Sequence, residues 1–328
     1  MGVRQTYNSS AISLDSFTET YKEAVAHLFA ISQNDKLRYV LPYCRNEHEF
    51  CIQWAALGWC DEDPHHMEQV CCPACKSAEM VHWLIQCPMD IHAPHAWKPG
   101  DLNKFFENLS KRKEYEPTVH SRPKGGPWIV TLENVISEQE ANAIIEWGEV
   151  YGWEDSLVDG DVQEDGTWEA VWSEDRTSSL AWCIDECMED PIVQRVLDRI
   201  SNITNMHSNH SDYMQILRYE SGQFYLNHHD FHHYQVYSSS GPRIMTVYIY
   251  LRNVSKGGGT RFPYLDISVT PKLGRALIWP NVLNEDPNVQ DQRTHHEALP
   301  PIGDQKYGAT LWWHQRDFKT ADAQGCAQ

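Results

Sequence analysis

Tyr219-Glu-Ser-Gly-Gln-Phe-Tyr-Leu-Asn-His-His-Asp230 is the segment from which we predict the fold of this chain. Its second half, from Tyr225 to Asp230, follows a glycine-containing turn and has the composition of a short strand. Residues two apart on a strand share a face, so the side chains of His228 and Asp230 are predicted to point the same way. An imidazole and a carboxylate side by side are two of the three ligands of the 2-His-1-carboxylate arrangement that binds non-haem Fe(II). The third ligand must be a histidine from elsewhere in the chain.

A single His-x-Asp triplet is a weak signal, because a chain with 17 histidines contains such triplets by chance. His210-Ser211-Asp212 is a second one. It lies in a polar run of Ser, Asn and His, so we interpret it as a loop and not as a metal site. The first triplet therefore needs support from other residues.

The composition limits the class of protein. A chain of 328 residues is long enough for one sizeable domain and a small one. Its 41% hydrophobic content, with 13 Trp and 15 Tyr, predicts a packed core. The formal net charge of -19 repels phosphate backbones and argues against nucleic acid as a partner, whereas a basic polypeptide would be attracted. No membrane span is predicted, because no stretch has the roughly 18 consecutive apolar residues that a span needs.

Seven of the ten cysteines lie between Cys44 and Cys87, in a segment with few aliphatic residues. A segment too small to be held by a hydrophobic core needs covalent links, and this density is typical of oxidising compartments. The alternative is a zinc site, with the candidate ligands Cys71, Cys72, Cys75, His82 and Cys87. The regularly spaced Cys-x-x-Cys pairs of zinc modules are absent, so we favour disulfides. The separate pair Cys183 and Cys187 is either a local disulfide or two buried thiols.

Five Asn-x-Ser/Thr sequons agree with an oxidising compartment; they begin at Asn8, Asn108, Asn202, Asn209 and Asn253. We therefore predict a protein of the secretory pathway, in the lumen of the endoplasmic reticulum. The first six residues show no apolar signal-peptide core, so a leader or anchor is expected outside this sequence.

The distribution of turns, cysteines and periodic patterns predicts five segments. They are an N-terminal helical segment at 1–40, a cysteine-rich module at 41–90, a linker at 91–126, a main domain at 127–318 and a tail at 319–328. Apolar residues at helical spacing predict one helix from Asp15 to Ile31, and the Pro- and Gly-rich linker contains another from Asp101 to Lys111. The acidic stretch from Glu154 to Glu169 has no periodicity and is predicted to be a mobile loop.

The segment from Cys51 to Cys75 resembles the ShK-toxin-like (ShKT) module, a short disulfide-bonded helical domain attached to many secreted enzymes. The matching residues are Trp54-Ala55, Gly58-x-Cys60, Pro64-x-x-Met67 and Cys71-x-x-x-Cys75. The extra Cys72 and the distance to Cys87 depart from the pattern and leave the disulfide pairing open. The resemblance implies that this module binds a protein partner or tethers the enzyme, and that it is not catalytic.

The main domain is predicted to begin with helices and to continue with strands. Ser137-x-x-Glu140 is a capping-box signature ahead of one helix, and Asp190-Pro191 begins another. Short β-branched and aromatic runs separated by turns predict strands at 214–219, 224–230, 243–251, 260–262, 267–270, 275–279, 295–298 and 307–314. About eight strands in two sheets indicate a jelly roll. The predicted fold is mainly β with flanking helices (α+β), a cupin-like double-stranded β-helix, plus a small disulfide-rich helical module.

The third iron ligand should lie on a later strand that the closed barrel brings back to the first two. His295 and His296 are the candidates. Lys306 follows a Pro/Gly turn and would enter the barrel on the next strand, where its ammonium group can pair with a carboxylate. A 2-oxoacid co-substrate needs this arrangement, because its keto and carboxylate oxygens bind iron while a cation and a hydroxyl hold its far carboxylate. Thr260 could provide the hydroxyl.

Five motifs resemble, in order and spacing, those of the prolyl 4-hydroxylases, which are Fe(II)- and 2-oxoglutarate-dependent dioxygenases. They are Tyr219-x-x-Gly222-Gln-x-Tyr225-x-x-His228-x-Asp230-Phe231, Arg243-Ile-Met-Thr246, Gly257-Gly258-x-Thr260-x-Phe262-Pro263, Pro271-Lys-x-Gly274-x-Ala276, and His296 ten residues before Lys306. The resemblance covers roughly residues 127–316. Five ordered motifs are far less expected by chance than one.

The resemblance implies a role for each matching residue. Fe(II) would be bound by His228, Asp230 and His296, and 2-oxoglutarate by Lys306 with Thr260 and Tyr219. The catalytic set is then His228, Asp230, His296 and Lys306. The residues that match positions lining the peptide groove or orienting the substrate are Tyr225, Arg243, Trp312 and His314. Within the two His-His doublets, only His228 has the two-residue spacing to Asp230 and only His296 the ten-residue spacing to Lys306.

We therefore predict a prolyl 4-hydroxylase that uses O2 and 2-oxoglutarate to hydroxylate proline in a peptide or protein, with succinate and CO2 as products. Ascorbate is expected to restore oxidised iron. One alternative is a sister dioxygenase with the same iron site that acts on another residue or on a small molecule. The other is a non-catalytic secreted binding protein in which the cysteine-rich module carries the function.

Overall fold

The computed structural model describes residues 1–90, 92–162 and 168–327. The chain divides into a cysteine-rich unit (Met1–Met89 and Asp159–Val171) and a β unit (Asp90–Val158 and Trp172–Gln328). The helices are α1 Leu14–Gln33, α2 Cys51–Ala56, α3 Trp59–Glu62, α4 Pro64–Val70, α5 Cys72–Cys75, α6 Ala78–Gln86, α7 Asp101–Leu109, α8 Glu138–Tyr151, α9 Asp185–Glu189, α10 Pro191–Thr204 and α11 Phe318–Ala323. None of these helices, within the described ranges, combines the length and the apolar character of a transmembrane segment.

The strands, in chain order, are β1 Thr118–Ser121, β2 Ile129–Leu132, β3 Glu154–Asp155, β4 Val158–Val162, β5 Trp168–Val171, β6 Ser179–Cys183, β7 Met214–Tyr219, β8 Tyr225–His228, β9 Arg243–Tyr250, β10 Thr260–Phe262, β11 Ile267–Val269, β12 Ala276–Pro280, β13 His296–Ala298 and β14 Lys306–His314. Every strand predicted from residue 214 onward is present, with ends shifted by at most two residues. The strand predictions are confirmed because these segments are runs of β-branched and aromatic residues bounded by clear turn residues.

Disulfides hold the cysteine-rich unit together, as the cysteine spacing predicted. The bonds include Cys44–Cys72, Cys51–Cys71 and Cys60–Cys75. None of the ten cysteines, all of which lie in the described ranges, is free, so the zinc alternative is wrong. In the β unit, Cys183 and Cys187 form the local disulfide. Each such bond restricts the unfolded chain and thereby favours the folded one.

Helix α1 closes the small core of the cysteine-rich unit. The Ser13 hydroxyl caps it by accepting a hydrogen bond from the backbone N–H of Ser16. Its apolar face buries Ala24 against Ile52 and Met67, next to the Cys51–Cys71 disulfide. The helix predicted from 15 to 31 is thus confirmed, with one to two further residues at its ends.

Two antiparallel sheets form the β unit, and they confirm the predicted jelly roll. The larger sheet has eight strands in the order β1-β2-β12-β9-β14-β7-β6-β3, and the smaller has four in the order β11-β10-β13-β8. Val247 and Ile249 of β9 join the core that the large sheet shares with helices α7, α8 and α10. Tyr248 and Tyr250, on the opposite face, join a second core with residues of the small sheet. The alternation along one strand therefore defines an aromatic space between the sheets.

Both predicted helix caps are present in the β unit. At the start of α8, Ser137 and Glu140 form a reciprocal capping box. Oε1 of Glu140 also lies 2.8 Å from Nη2 of Arg199 in α10, which joins the two helices. Asp190 accepts two backbone N–H bonds at the first turn of α10. These caps satisfy backbone donors that a helix leaves unpaired.

Two sequence predictions about connections are wrong. The linker expected at 91–126 is packed into the β unit: Trp97, Leu102 and Phe106 are buried in its main core, and β1 pairs with β2. The acidic stretch 154–169, expected to be a loop, contains β3, β4 and the start of β5, which pair with other strands. Backbone pairing does not require the apolar alternation on which that prediction depended. Residues 163–167 of this stretch lie outside the described ranges.

Candidate active site

The structure brings together His228, Asp230 and His296. His228 ends β8 and His296 begins β13, and these two residues are partners in the antiparallel pairing of the strands. Asp230 lies two residues beyond the end of β8. The Nε2 atom of His228 is 3.9 Å from Oδ1 of Asp230, and that of His296 is 3.6 Å from Oδ2. One ligand atom from each side chain lies within 4.8 Å of the others, so the three could hold a metal ion.

The hydrogen bonds of the two imidazoles select the tautomer that a metal site needs. Nδ1 of His228 lies 2.8 Å from the carbonyl oxygen of Leu226, and Nδ1 of His296 lies 3.0 Å from that of Thr294. A carbonyl oxygen only accepts hydrogen bonds, so each Nδ1 carries a hydrogen, and in the neutral ring the lone pair lies on Nε2. These Nε2 atoms are the ones next to Asp230.

The charge of the cluster is set by its surroundings. Burial alone would raise the pKa of Asp230, but His296, His228 and the Thr246 hydroxyl outweigh this and hold the pKa well below its usual range. Thr246 of β9 donates to Oδ2 of Asp230 over 2.6 Å and accepts from Nδ2 of Asn281 at 3.0 Å. Burial is the main cause that lowers the pKa of His228, which keeps this imidazole neutral. A carboxylate with two imidazole side chains is a suitable set of donors for a divalent transition metal.

The structure separates the two members of each His-His doublet. Nε2 of His229 lies 3.0 Å from the carbonyl oxygen of Asp291, and Nδ1 of His295 lies 2.8 Å from that of Gln292. The rings of His229 and His295 contact each other, with centroids 4.9 Å apart. Each doublet thus places one histidine in the cluster with Asp230 and directs the other into a separate set of hydrogen bonds.

Lys306 begins β14 opposite Tyr219 of β7 and is fully buried. Its Nζ lies 4.7 Å from the ring centroid of Tyr219, 5.4 Å from that of Tyr248 and 5.9 Å from that of Tyr250. Among the described residues this nitrogen has no hydrogen-bond partner, and burial lowers its pKa to about 7. A buried ammonium group surrounded by aromatic rings is only partly satisfied, so an anion bound here would complete it.

Thr260 of β10 is connected to this lysine through Tyr250. The Tyr250 hydroxyl lies 2.8 Å from Oγ1 of Thr260 and 3.2 Å from the carbonyl oxygen of Val269. The Tyr219 hydroxyl is hydrogen-bonded to Ser178, and burial raises the pKa of Tyr219. The three residues predicted to hold the co-substrate therefore share one buried aromatic group.

Of the predicted substrate residues, Tyr225 and Arg243 are only partly buried, and Trp312 is buried but packs against Arg243. Tyr225 stacks on His228 with ring centroids 3.5 Å apart, and the guanidinium of Arg176 lies 4.6 Å from the Tyr225 ring centroid. The guanidinium of Arg243 lies 4.0 Å from the ring centroid of Trp312, and the Arg243 side chain is 17% exposed. Each of these guanidinium groups thus lies over an aromatic ring, and the Tyr225 ring also contacts His228 of the metal cluster. Such a surface is suitable for binding a peptide.

His314, the fourth predicted substrate residue, lies in the interior with 0% exposure. Its Nε2 is 2.5 Å from Oδ1 of Asp212, and Nη2 of Arg243 binds Oδ2 of the same carboxylate at 2.8 Å. Burial opposes ionisation of Asp212, but His314 and Arg243 lower its pKa to about 2. His314 therefore contacts Asp212, which also binds Arg243, and its role in orienting the substrate stays a prediction.

Several residues of the site were missed by sequence reasoning. Asp212 was interpreted as part of a loop, but it is buried, because Ser211 bridges to Trp313 and brings the segment under β14. Its polar neighbours in the sequence gave no sign of this. Arg176 and Tyr248 likewise carry no local signal, since their positions depend on pairings between strands far apart in the chain.

Comparison with known families agrees with this geometry. Residues 214–314 match the family described as the 2OG-Fe(II) oxygenase superfamily. The matched range contains the metal cluster as well as Lys306, Thr260 and Tyr219. Membership of this superfamily implies Fe(II) and 2-oxoglutarate.

Two relatives from Arabidopsis thaliana are similar over most of the chain. "Probable prolyl 4-hydroxylase 7" is 30% identical over 265 residues, covering 73% of this chain and 81% of the relative. "Probable prolyl 4-hydroxylase 4" is 31% identical over 238 residues, covering 66% and 74%. A solved structure, the viral collagen prolyl hydroxylase vCPH from Paramecium Bursaria Chlorella virus-1 in its 2OG complex, is 20% identical with a TM-score of 0.44, covering 57% of this chain and 95% of that chain.

Proposed function

Because the chain belongs to the prolyl 4-hydroxylase family of Fe(II)- and 2-oxoglutarate-dependent dioxygenases, we propose that it hydroxylates C4 of a proline residue within a peptide or protein. The observation that carries this proposal is the cluster of His228, Asp230 and His296, together with the buried ammonium of Lys306, which has no hydrogen-bond partner in the described residues. The first group suits a divalent iron and the second suits the carboxylate of a co-substrate.

The three clustered side chains would hold Fe(II). Two Nε2 lone pairs and one carboxylate oxygen are protein donors that leave other coordination positions for the reactants. The carbonyl groups of Leu226 and Thr294 fix the orientation of the imidazoles, and the Thr246 hydroxyl fixes that of Asp230. Such outer partners are as much a part of a metal site as its ligands.

Lys306, Thr260 and Tyr219 would hold the far carboxylate of 2-oxoglutarate. The fit is supported by the ammonium group in its aromatic surroundings and by the Thr260 hydroxyl next to Tyr250. When bound, Fe(II) and 2-oxoglutarate supply the oxidising chemistry, in which one oxygen atom of O2 enters a C–H bond of proline and the other enters succinate. The residues of the chain contribute binding, orientation and exclusion of bulk water.

Tyr225, Arg243 and Trp312 would receive the peptide. Flat aromatic faces pack well against a proline ring, and a guanidinium group donates to backbone carbonyls. His314 and Asp212 would act from beneath, by holding Arg243 in place. Arg176 would do the same for Tyr225 by covering its ring.

Incubation with Fe(II), 2-oxoglutarate and a proline-rich peptide tests the proposal. We expect one added oxygen on proline by mass spectrometry, one succinate for each hydroxyl formed, and 4-hydroxyproline in the hydrolysed product. The variant His296→Ala, which lacks one ligand, should give none of these. Oxygen on another residue or on a small molecule would favour a sister dioxygenase. A protein that neither binds iron nor turns over 2-oxoglutarate would be a secreted binding protein instead.

Three finer proposals accompany this one. Ascorbate would restore iron that is oxidised in turnovers without hydroxylation, and omitting it should shorten the linear phase of the reaction. The disulfides support residence in the lumen of the endoplasmic reticulum, which co-localisation with a lumenal marker would test. The ShKT resemblance supports a protein partner for the cysteine-rich unit. A partner that co-purifies with the full chain should be lost when that unit is deleted.

A further inference from the structure

Besides the Lys306 ammonium, the hydroxyl oxygen of Tyr248 is a buried polar atom in the space between the sheets. This residue lies in the middle of β9 and is 7% exposed. Within the described residues its hydroxyl has no hydrogen-bond partner, as is also true of the Lys306 ammonium. Burying a hydroxyl without a partner is unfavourable, and a ring needed only for packing would serve better as phenylalanine. The hydroxyl is therefore expected to have a partner that is not part of the chain.

Tyr248 and Lys306 belong to the same aromatic group. Tyr248 lies on the face of β9 that points between the sheets, with its ring 4.9 Å from that of Tyr250. The Lys306 nitrogen is 5.4 Å from the Tyr248 ring centroid. The two unsatisfied atoms thus come from residues in contact, on neighbouring strands β9 and β14. One small anion could bind both.

The other two tyrosines around Lys306 differ from Tyr248. The Tyr219 hydroxyl is hydrogen-bonded to Ser178, and the Tyr250 hydroxyl donates to Thr260. Both of these hydroxyls have a partner within the chain, whereas that of Tyr248 has none among the described residues. Burial raises the pKa of Tyr248 well above its usual range, so its hydroxyl keeps the hydrogen that a carboxylate would accept.

Gly308 provides the room that this hydroxyl occupies. It lies in β14 between Lys306 and Thr310, and a Cβ at this position would collide with the Tyr248 hydroxyl. A side chain larger than hydrogen at 308 would therefore push the hydroxyl away from its place beside the lysine. The absence of a side chain at 308 and the hydroxyl at 248 are two parts of one local arrangement.

We infer that the Tyr248 hydroxyl donates a hydrogen bond to the far carboxylate of 2-oxoglutarate and shares that carboxylate with Lys306. This inference rests on the proposed function, because it assumes that 2-oxoglutarate is the anion. A carboxylate accepts about four hydrogen bonds, so Lys306, Thr260 and Tyr248 can bind it together. Tyr248 is in this sense a positioning residue for the co-substrate.

The variant Tyr248→Phe tests the inference, because it removes the hydroxyl and keeps the ring. We expect its affinity for 2-oxoglutarate, measured by calorimetry on the Zn(II)-loaded protein, to fall about tenfold, the effect of losing one hydrogen bond to a charged group. Without co-substrate, its melting temperature should equal or exceed that of the wild type, since an unsatisfied group has been removed. Loss of affinity combined with undiminished stability is a result that a packing role would not produce.

Two controls isolate the contact. Tyr307→Phe removes a hydroxyl on the opposite face of β14, where it bonds to Gln305, and should leave the affinity for 2-oxoglutarate unchanged. Pyruvate has the same 2-oxoacid group but no far carboxylate, so wild type and Tyr248→Phe should bind it equally weakly.

The inference is overturned if Tyr248→Phe binds 2-oxoglutarate as tightly as the wild type, or if it loses pyruvate and 2-oxoglutarate affinity to the same extent. A variant that melts well below the wild type, or does not fold, also overturns it, since the hydroxyl would then have a partner within the chain. If the wild type itself binds no 2-oxoglutarate, the proposed function fails and not this contact alone.

Discussion

Nε2 of His314 and Oδ1 of Asp212 lie 2.5 Å apart in the interior of the β unit, and Arg243 binds the other oxygen of the same carboxylate. The buried Asp212 carboxylate thus binds both His314 and Arg243. The Arg243 side chain reaches the surface beside Trp312. Removing one partner of a buried charged network leaves the others uncompensated, which is more damaging than losing a surface pair.

The variant Asp212→Asn should therefore lose about 3 kcal/mol of unfolding free energy and raise the KM for peptide about tenfold. The second effect follows because Arg243 is no longer held against Trp312. Denaturant unfolding and peptide kinetics measure the two. Glu140→Gln, which breaks the Glu140–Arg199 pair on helices α8 and α10, is the matched control and should lower stability while leaving the peptide KM unchanged. Equal peptide KM values for wild type and Asp212→Asn would disprove the positioning role.

The variant Thr246→Val should bind Fe(II) roughly 10- to 100-fold more weakly, because it removes the hydroxyl that holds Oδ2 of Asp230. Metal titration measures this, and the KM for 2-oxoglutarate at saturating iron should change little. Thr310→Val, a similar exchange of a buried threonine on β14, is the control. A Thr246→Val protein with wild-type iron affinity would show that Asp230 is oriented by other contacts.

Affinity for 2-oxoglutarate should depend on pH through Lys306, whose pKa burial lowers from 10.5 to about 7. A carboxylate prefers the ammonium form, so affinity should be level well below pH 7 and fall up to tenfold per pH unit above it. Binding to the Zn(II)-loaded protein between pH 6 and 9 measures this. Lys306→Arg keeps its charge across this range and should remove the fall. A level affinity in the wild type would mean that the lysine stays protonated.

The same shift affects stability without co-substrate. Between about pH 7 and 10 the unfolded chain keeps a proton on Lys306 that the folded chain has lost, so the free energy of unfolding should rise with pH in this window. Below pH 7 both states are protonated and the lysine contributes no slope. Urea unfolding of the wild type and of Lys306→Met at several pH values measures the difference; parallel curves would contradict it.

Loss of the Cys60–Cys75 disulfide should destabilise the cysteine-rich unit by about 3 kcal/mol, since the bond joins residues 15 apart and restricts the unfolded chain. Replacing both cysteines by serine avoids a free thiol. Hydrogen exchange should quicken in α3 and α4 and stay unchanged in β9 and β14. Faster exchange confined to the β unit would be the opposite of this expectation.

Much of the β unit could be predicted from the sequence, because its strands after residue 213 are short runs of β-branched and aromatic residues that end at turn residues. The pairing of these strands could not. His228 and His296 meet only because β8 pairs with β13, and local sequence does not specify which distant strands pair. The motif spacing nevertheless pointed to the member of each doublet that lies in the cluster with Asp230. Asp230 was placed on the strand, whereas the strand ends at His228 and the chain turns before Asp230.

Burial of polar groups was the other property that the sequence did not reveal. In the sequence, Asp212 is an acidic residue in a polar run and Tyr248 is a tyrosine in a strand. Their roles depend on contacts with residues of another strand, His314 and Lys306 of β14. The linker prediction failed for a related reason. The proline and glycine residues at 91–126 indicated irregular structure. The apolar face of α7 packs into the main core and thereby fixes the position of this segment.

The two imidazoles of the candidate metal centre belong to the small sheet, whereas Asp230 is tied through Thr246 to the large one. An ion bound by all three side chains would therefore connect the small sheet to the large sheet. Without the ion, the four-stranded sheet should open locally more often than the eight-stranded one and should be the first to be cleaved by a protease.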